Sequence, residues 1–392
     1  NIYSPILDVA RDPRWGRTVE TYGESPYLIS ELGKVMGKSI QKEGVASTAK
    51  HYCIYSMPKG GRDGNVRTDP HLTEREVQTL YLETFREVIT ESNILGVMSS
   101  YNEYNGIPIS GSKYYLQDLL DSWGFEGYIV SDSRAVGQIN EKHEVAKDFK
   151  DAVRHTVKGG LHIRTDFTPP EDYILPLREL VEEGKIAHST IDERVRDILR
   201  VKFKLGLFDQ PYVPDPEKAD EVVNNNEFQK TSLEVARESI VLLKNENELL
   251  PLGNKDVSSI LVTGPNAKTE KHSRGGYGPS RIDVVSVLEG ITENSPKNIA
   301  IEFSEGCPVI SDNWPENEII YSDGYSDKVE EMMEKGLAKA HKSDVIIAVM
   351  GENEKIVGEA RSRTSLDLPP VQKKYLRELK KTGKPIVMVL LN

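Results

Sequence analysis

Residues 127–136 read GYIVSDSRAV and place a short apolar run directly in front of a carboxylate. The run Tyr128-Ile129-Val130 is typical of a buried strand and ends at the polar sequence around Asp132. In barrels of parallel strands, side chains at the carboxyl ends of the strands line the active site. Asp132 is therefore a candidate catalytic residue. The alternative is an aspartate that caps the helix after it.

Up to about residue 205, short β-type runs alternate with amphipathic helical stretches, which predicts a parallel sheet. Because at least five such units occur without a Gly-rich dinucleotide loop, an α/β fold with a (β/α)8-type barrel is favoured over an open nucleotide-binding sheet. The predicted strands are Ile2–Leu7, Ala46–Lys50, Gly96–Ser100, Tyr128–Ser131 and Leu161–Ile163, and the predicted helices are Pro26–Glu43, Glu74–Glu91, Lys113–Ser122, Lys147–Lys158 and Thr190–Leu205.

Residues 206–226 hold three prolines and a run of asparagines, which is typical of a linker. A second strand–helix pattern follows and predicts a mostly parallel sheet covered by helices. We therefore predict a barrel domain at residues 1–205, a linker at 206–226 and an α/β sandwich domain at 227–392. The predicted strands of the sandwich are Ile260–Thr263, Ile299–Phe303, Val345–Val349 and Pro385–Leu391, and its predicted helices are Asp327–Ala340 and Pro370–Thr382.

Both ends of the chain are strand-like, and the first residue is not Met. We interpret the chain as an excerpt of a longer protein. On this interpretation, the N-terminal part of the barrel and the C-terminal part of the sandwich lie outside it.

The composition argues against several classes of function. The chain has 392 residues and a formal net charge of −12, which disfavours a nucleic-acid partner because phosphate binding needs clustered Lys and Arg. No apolar run is long enough to span a membrane. The two cysteines exclude a disulfide framework, and no metal-ligand spacing occurs. We predict no cofactor and no metal.

The motif DPRWGR at residues 12–17 is rich in charge, aromatic rings and turn residues, and it follows a predicted strand. Such a loop can bind a polyhydroxylated ligand, since Arg17 can donate to hydroxyls and Trp15 can stack on an apolar face. The alternative is a structural loop whose arginines pair with Glu20 and Glu24.

Further polar groups follow two other predicted strands. TAKHY at residues 48–52 offers Lys50 and His51 as neighbouring donors, and the alternative is a solvated loop. GVMSSYN at residues 96–102 ends in hydroxyls and an amide. The pattern indicates a second and a third set of polar side chains at the same end of the barrel.

Two loops carry additional candidates. GEARSRTSLDLP at residues 358–369 places Glu359 among arginines, in a loop long enough to reach the barrel. The Gly-rich loop at residues 55–70 either forms a wall of the pocket or is a mobile surface loop. The candidates for sugar contact in that second loop are Arg62, Asp63 and Arg67.

These motifs resemble glycoside hydrolase family 3. The resemblance covers essentially the whole chain and is carried, in order, by SPILDVARDPRWGR with ETYGESPYL, TAKHY, GVMSSYN, GYIVSDSRAV, ARESIVLLKNENELLPL, VTGPNA, GGYGP and GEARSRTSLDLP. It implies a retaining glycosidase with Asp132 as the nucleophile. It also implies Glu359 as the general acid/base, with Glu352 and Glu354 as the alternatives.

The resemblance further implies a sugar pocket around Asp132. A retaining enzyme needs one ionised carboxylate about 5–5.5 Å from a protonated carboxyl. We expect nearby cations to hold the pKa of Asp132 down and keep it ionised. The implied substrate-binding residues are Arg17, Lys50, His51, Met98 and Tyr101, and Arg67 of the Gly-rich loop is a further candidate.

One departure from the family bears on the sugar. Many members have Trp or Cys directly after the nucleophile, where this chain has Ser133. The predicted activity is an exo-acting β-glucosidase that releases terminal glucose, the commonest activity among similar chains. A β-xylosidase, or an enzyme with both activities, is the alternative because Ser133 resembles xylosidase-like members.

Two other functions are weighed against this prediction. N-acetylhexosaminidases of the family use an Asp-His dyad and usually lack the sandwich domain. A non-catalytic sugar-binding protein is disfavoured by the retention of Asp132 and Glu359. The expected partner is a small oligosaccharide or aryl β-glycoside, with no nucleic acid and no membrane. The oligomeric state stays open between monomer and homodimer, and a periplasmic or secreted location is favoured over a cytoplasmic one.

Overall fold

The computed structural model describes residues 1–59, 67–213, 215–223, 225–252, 256–269, 277–278, 283–315 and 324–392. The chain divides into two compact units. The first unit comprises Asn1–Val213 and Gly358–Thr364, and the second comprises Pro214–Val357 and Ser365–Asn392. Both units are built of helices and parallel strands, so the predicted α/β class is confirmed. The domain boundaries at 205 and 227 stay a prediction.

The first unit is organised around a sheet of three parallel strands, which lie in the order β1 (Thr48–Tyr52), β2 (Gly96–Ser99) and β5 (Tyr128–Ser131). Parallel bridges from Ile2 and Ile6 continue it beside β1, and a bridge from Ile163 continues it beside β5. Two very short strands, β3 and β4, form an antiparallel pair. The strands of this unit are β1 (Thr48–Tyr52), β2 (Gly96–Ser99), β3 (Glu103–Tyr104), β4 (Ile107–Pro108) and β5 (Tyr128–Ser131).

Two predicted strands are only isolated bridges, and this part of the prediction was wrong. In Ile2–Leu7, the proline Pro5 has no N–H to donate to a neighbouring strand. In Leu161–Ile163, the ring nitrogen Nδ1 of His162 accepts from the Ile129 amide at 2.7 Å. A side chain therefore takes a hydrogen bond that a regular strand ladder would make with backbone.

The helices of the first unit follow the predicted alternation, with local irregularities. Two predicted helices contain π-helical turns, at Val77–Tyr81 and Tyr114–Leu119. Short 3-10 turns occur at Thr18–Glu20 and Ile109–Gly111. The helices are α1 (Pro26–Lys42), α2 (Glu74–Glu76), α3 (Glu83–Ser92), α4 (Leu120–Ser122), α5 (Ala135–Glu141), α6 (Phe149–Gly159), α7 (Glu171–Glu182) and α8 (His188–Lys204).

Two helices of this unit, α5 and α7, were not predicted. Helix α5 has seven residues, which is shorter than the window over which helical periodicity can be recognised. Helix α7 starts after two prolines and contains Pro176, and proline argues against a helix interior.

The sheet of the first unit is buried on both faces. Val97 lies opposite Ile129 and packs with the helix layer that includes Phe85 and Val88. The next residue along each strand points the other way. Met98 therefore contacts a second apolar cluster with Tyr128, Val130, Ala46 and Val201. Burial on both faces is typical of parallel sheets and explains the uninterrupted apolar strands.

The second unit contains a four-stranded parallel sheet in the order β7-β6-β8-β9. Alternate residues of its strands supply two separate apolar clusters, one on each face. Helix α9 lies within the segment predicted as a linker, which is therefore not wholly irregular. The strands are β6 (Ser259–Thr263), β7 (Ala300–Ser304), β8 (Val345–Gly351) and β9 (Ile386–Leu391), and the helices are α9 (Lys218–Val222), α10 (Asn226–Ser239), α11 (Val287–Asn294), α12 (Asp327–Ala340) and α13 (Pro370–Lys381), with a 3-10 turn at Glu246–Glu248.

Candidate active site

The carboxyl ends of β1, β2 and β5 meet at one edge of the first unit's sheet. Tyr52 lies opposite Ser99, and Ser99 lies opposite Ser131. The Asp132 amide continues this ladder by donating to the Ser99 carbonyl at 3.1 Å. His51 and Asp132 are consequently brought to the same edge, as the position of each motif after a strand predicts.

The Asp132 carboxylate is buried, with the residue only 8% exposed. Oδ1 accepts a 2.7 Å hydrogen bond from the Ser133 amide, and Oδ2 lies 3.7 Å from His51 Nε2. The helix-cap alternative for Asp132 is wrong. Arg134, in the left-handed region at φ 66°, holds the cap position of α5, and no side chain accepts a hydrogen bond there.

The pKa of the Asp132 carboxyl is raised, contrary to the expectation that cations hold it down. Burial raises it most, and the nearby Glu359 carboxylate raises it further. Arg17, a hydrogen bond from Tyr101 and the Ser133 amide all lower it, in that order. The cationic partner is therefore present as predicted, but loss of hydration outweighs it.

Burial also lowers the pKa values of Lys50 and His51, the two residues of β1 that were predicted to be cations. The pKa of His51 lies well below its ordinary value, because burial and then the charges of Arg17 and Lys50 disfavour the imidazolium. The pKa of Lys50 is lowered by burial and Arg17, and Asp132 partly opposes this. His51 thus contributes a neutral ring, and the positive charges of the motifs DPRWGR and TAKHY are carried near the site by Arg17 and Lys50.

Arg17 pairs with Glu20 and lies beside the predicted acid/base. Its guanidinium forms two hydrogen bonds with Glu20, at 2.8 and 2.9 Å, and Nη1 lies 3.6 Å from Glu359 Oε1. Burial disfavours the cation, but Glu20, Tyr55 and Glu359 outweigh it, so the pKa of Arg17 is raised. Arg17 therefore pairs with Glu20, as the structural alternative predicts, and also contacts the predicted acid/base.

The loop Gly358–Thr364 belongs to the first unit and is attached there by backbone bonds. The Gly358 amide donates to the Gly16 carbonyl at 2.7 Å, and the Arg363 amide donates to the Arg14 carbonyl at 2.8 Å. The Gly16 amide in turn donates to Ser362 Oγ at 3.2 Å. The motifs DPRWGR and GEARSRT are thus paired, and the Glu359 side chain is only 9% exposed.

The two alternative acid/base residues have other surroundings. Glu352 and Glu354 belong to the second unit. The Glu352 amide extends the end of β8 by donating to the Leu391 carbonyl, and its own carbonyl accepts from Asn266. Of the three candidates, Glu359 is the one assigned to the same compact unit as Asp132, which favours it for the acid/base role.

Gly16 leads to a prediction about this loop. A Cβ on Gly16 would lie 2.2 Å from the Gly358 carbonyl oxygen and 2.8 Å from backbone atoms of Arg361. Gly16→Ala should therefore displace the segment that carries Glu359. Because misplacement of a catalytic group by about 1 Å can cost 10²-fold, we expect kcat on aryl glycosides to fall about 10- to 100-fold. Gly290→Ala is the control, because a Cβ there would meet only Val285 Cγ1, at an ordinary contact distance of 3.7 Å. Equal kcat for wild type and Gly16→Ala would contradict the prediction.

Aromatic rings form one wall of this site. Tyr55 contacts Trp15, Tyr101 and the His51 ring edge-on, with centroids 5.5, 5.8 and 5.3 Å apart. The pKa values of Tyr55 and Tyr101 are raised, first by burial and also by both Asp132 and Glu359. Both carboxylates therefore act on the same two rings. Tyr55 was not singled out from sequence, although its place three residues after TAKHY was the available signal.

The remaining predicted contacts lie in different surroundings. Met98 is buried in the apolar cluster beneath the strand ends. Arg67 is half-exposed, and its Nε lies 3.2 Å from Oε1 of the fully buried Glu103. Glu103 also pairs with His143 at 2.9 Å. A sugar contact by Arg67 stays a prediction, and Arg62 and Asp63 lie outside the described residues.

Asp8 is a buried site residue that sequence reasoning missed. It is 3% exposed, its Oδ2 accepts from the His51 backbone amide at 2.9 Å, and the same oxygen lies 2.7 Å from His51 Nδ1. The rule that selected Asp132, a carboxylate directly after a strand, applies equally to Asp8 after Ile2–Leu7. The signal was therefore present in the sequence.

Within the part of the chain that the structure describes, no group of three or more His, Cys, Asp or Glu side chains could hold a metal ion. The same residues include no helix with the length and apolar character needed to cross a bilayer.

Comparison with known families decides the relationship. The family model "Glycosyl hydrolase family 3 N terminal domain" matches residues 1–201, and "Glycosyl hydrolase family 3 C-terminal domain" matches residues 240–392. The chain belongs to glycosyl hydrolase family 3. The resemblance recognised from the motifs is thereby confirmed.

Relatives in this family include proteins named as β-glucosidases and as β-xylosidases. The periplasmic beta-glucosidase of Salmonella typhimurium is 33% identical, over 100% of this chain and 52% of that protein. A beta-xylosidase of Formosa agariphila is 32% identical, over 100% of this chain and 54% of that protein. The solved structure of a β-glucosidase from Erythrobacter marinus matches with a TM-score of 0.88 and 32% identity, over 100% of this chain and 54% of that one. The chain thus spans about half the length of the family 3 relatives it matches.

Proposed function

We propose that this protein is a retaining, exo-acting β-glycosidase of family 3, with β-glucosidase as its principal activity. The observation that carries the proposal is the position of Arg17, which lies 3.6 Å from Glu359 and acts on the pKa of Asp132. Two carboxyl groups on separate motifs therefore share one buried, aromatic-walled site. Such a pair is the machinery of glycoside hydrolysis with retention.

In the proposed reaction, Asp132 attacks the anomeric carbon while Glu359 protonates the departing glycosidic oxygen. The glycosyl ester on Asp132 is then hydrolysed by a water that Glu359, now the base, deprotonates. Burial of Asp132 removes water that would otherwise solvate the nucleophile, and the Ser133 amide holds Oδ1 at 2.7 Å. The other carboxylate oxygen, Oδ2, is the one that faces His51 and is the proposed attacking atom.

Substrate hydroxyls require both donors and acceptors in such a pocket. Arg17 and Lys50 would supply donors, and the neutral His51 ring would supply an acceptor at Nε2 because its Nδ1 faces Asp8. Tyr101 lies beside both carboxylates and would contact the sugar ring. Arg67, which is paired with Glu103, would act only at outer subsites.

The sugar is tested by comparing p-nitrophenyl β-glucoside with p-nitrophenyl β-xyloside on the full-length protein. We expect kcat/KM to favour the glucoside about 10- to 200-fold, the range that one small substituent in a fitted pocket supports. The β-glucosidase name of the Salmonella relative supports this order, and the Formosa β-xylosidase supports the alternative. A ratio favouring the xyloside by tenfold or more would overturn it. Binding of both glycosides without release of p-nitrophenol would indicate a non-catalytic sugar-binding protein.

We also propose a periplasmic or secreted location, and the name of the Salmonella relative supports the periplasmic one. Fractionation of cells that express the full-length protein tests this, since activity confined to the cytoplasm would contradict it.

A further inference from the structure

Asp8 and His51 form a buried pair in which the two ring nitrogens of His51 have different surroundings. Asp8 Oδ2 makes two hydrogen bonds with one residue, one with the His51 backbone amide and one with Nδ1. The opposite nitrogen, Nε2, has no hydrogen-bond partner and lies 3.7 Å from Asp132 Oδ2. Both side chains are almost fully enclosed, with Asp8 3% and His51 1% exposed.

This geometry selects one tautomer of the ring. Burial raises the pKa of Asp8 to about 7. Above that pH Asp8 is ionised and a carboxylate can only accept from Nδ1, so the ring proton lies on Nδ1. In a neutral imidazole the other nitrogen is then a bare acceptor. The neutral form is favoured here because burial, Arg17 and Lys50 all lower the pKa of His51. Nε2 therefore presents a lone pair beside the oxygen of Asp132.

We propose that Asp8 is a positioning residue of the active site, which fixes His51 as the Nδ1–H tautomer and aims Nε2 at the substrate beside Asp132. The inference rests on the proposed function, because it assigns His51 to a sugar hydroxyl as an acceptor. Asp8 itself does not contact substrate. It acts through the ring, and its hydrogen bond with Nδ1 also opposes rotation of the imidazole about its χ angles.

The tautomer also protects the nucleophile. An Nε2–H ring would donate to Asp132 Oδ2 and stabilise its lone pairs, which opposes attack on the sugar. A bare Nε2 cannot donate, so Oδ2 stays available and the ring can bind only a group that carries a proton. Asp8 thus keeps His51 a hydrogen-bond acceptor and Asp132 a nucleophile.

The first test measures the tautomer directly. In full-length protein labelled with ¹⁵N-histidine, the two nitrogens of a neutral ring give distinct shifts for the protonated and the bare position. The chain has eight histidines, and the His51 signals are assigned by their loss in His51→Gln. We expect a protonated Nδ1 and a bare Nε2 in the wild type at a pH well above the Asp8 pKa of about 7, where Asp8 is ionised. A protonated Nε2 in the wild type would overturn the proposal, and no Asp8 variant is needed for this result.

The second test separates the acceptor from its charge. Asp8→Ala removes the acceptor, so we expect both tautomers to appear and kcat/KM on p-nitrophenyl β-glucoside to fall about 10- to 100-fold, as for loss of a hydrogen bond to a charged group. Asp8→Asn keeps an oxygen that can face the amide and Nδ1. It should retain the Nδ1–H tautomer and recover kcat/KM to within about tenfold of wild type. An unchanged tautomer and unchanged kcat/KM in Asp8→Ala would refute the proposal.

Asp344→Ala is the matched control for a loss of folding. Asp344 Oδ2 also accepts two backbone amides, from Ser258 and Ser259, but it lies in the second unit. We expect a lower unfolding midpoint with the His51 spectrum and kcat/KM unchanged. The wild type could show the Nδ1–H tautomer, Asp8→Ala could lose it, and the wild type could still hydrolyse no glycoside. In that case the proposed function fails and the positioning of His51 by Asp8 stands.

Discussion

Asp132→Asn is expected to reduce kcat on p-nitrophenyl β-glucoside by about 10⁴- to 10⁶-fold, the range seen when an enzyme loses its nucleophile. Asparagine has nearly the same shape, and its amide oxygen can still accept from the Ser133 amide, as Oδ1 does now. The amide cannot, however, form the covalent bond to the anomeric carbon, so the first displacement disappears. The measurement is initial-rate kinetics at saturating substrate.

A direct chemical readout identifies the attacking residue. A 2-deoxy-2-fluoro glycoside with a good leaving group should label the peptide that contains Asp132, because the fluorine slows hydrolysis of the intermediate. Asp118→Asn removes a solvent-facing carboxylate of the same unit, which pairs with Lys113, and should leave kcat within about twofold. Labelling of another peptide, or residual kcat above about 10% in Asp132→Asn, would contradict the assignment.

Asp132→Asn is expected to lose activity without losing stability. The folded protein holds the Asp132 proton more tightly than the unfolded chain does, because burial raises the pKa. Ionisation above the unfolded pKa therefore costs folding free energy, and this cost grows until the pH passes the raised pKa. At neutral pH the neutral amide of Asp132→Asn avoids it. We expect the variant to unfold at or above the wild-type temperature, which is the usual trade between activity and stability.

Site residues that lie in local motifs could be predicted from the sequence, whereas contacts between distant segments could not. Asp132 and Glu359 were found because each lies in a motif with its own local signature. Asp8 also follows a predicted strand, Ile2–Leu7, so the sequence carried the same signal that selected Asp132. Its role depends on the contact with His51, 43 residues along the chain, which no local pattern shows. The burial that raises the pKa of Asp132 could not be foreseen either, since it depends on packing by segments far apart in the chain.

The placement of Glu359 is the clearest case of a long-range effect. Its loop is some 340 residues from DPRWGR, and the Gly16 amide bonded to Ser362 joins residues 346 apart. No periodicity or propensity encodes such a contact. The prediction of a 227–392 domain accordingly included Gly358–Thr364, whereas the structure assigns this segment to the first compact unit. The domain limits themselves stay a prediction.

Glu359→Ala is expected to separate the two halves of the reaction. For substrates with poor leaving groups, loss of the proton donor should lower kcat/KM about 10²- to 10⁴-fold. For activated aryl glycosides, glycosylation needs little protonation, so the glycosyl ester on Asp132 should accumulate and its hydrolysis should become rate-limiting. A burst of phenol followed by slow turnover, measured by stopped flow, is the expected signature.

Azide tests whether the missing group is the base of the second step. Azide needs no deprotonation and can occupy the space that the Glu359 side chain leaves beside Arg17 Nη1, which now lies 3.6 Å from its Oε1. It should restore turnover of Glu359→Ala and yield the β-glycosyl azide, because two displacements at one carbon return the original configuration. Glu352→Ala and Glu354→Ala, which alter carboxylates of the second unit, should show neither the burst nor the rescue. Rescue in Glu352→Ala with none in Glu359→Ala would move the role to Glu352. An α-glycosyl azide would show that azide does not attack the glycosyl ester on Asp132. Double displacement at this site would then have no support.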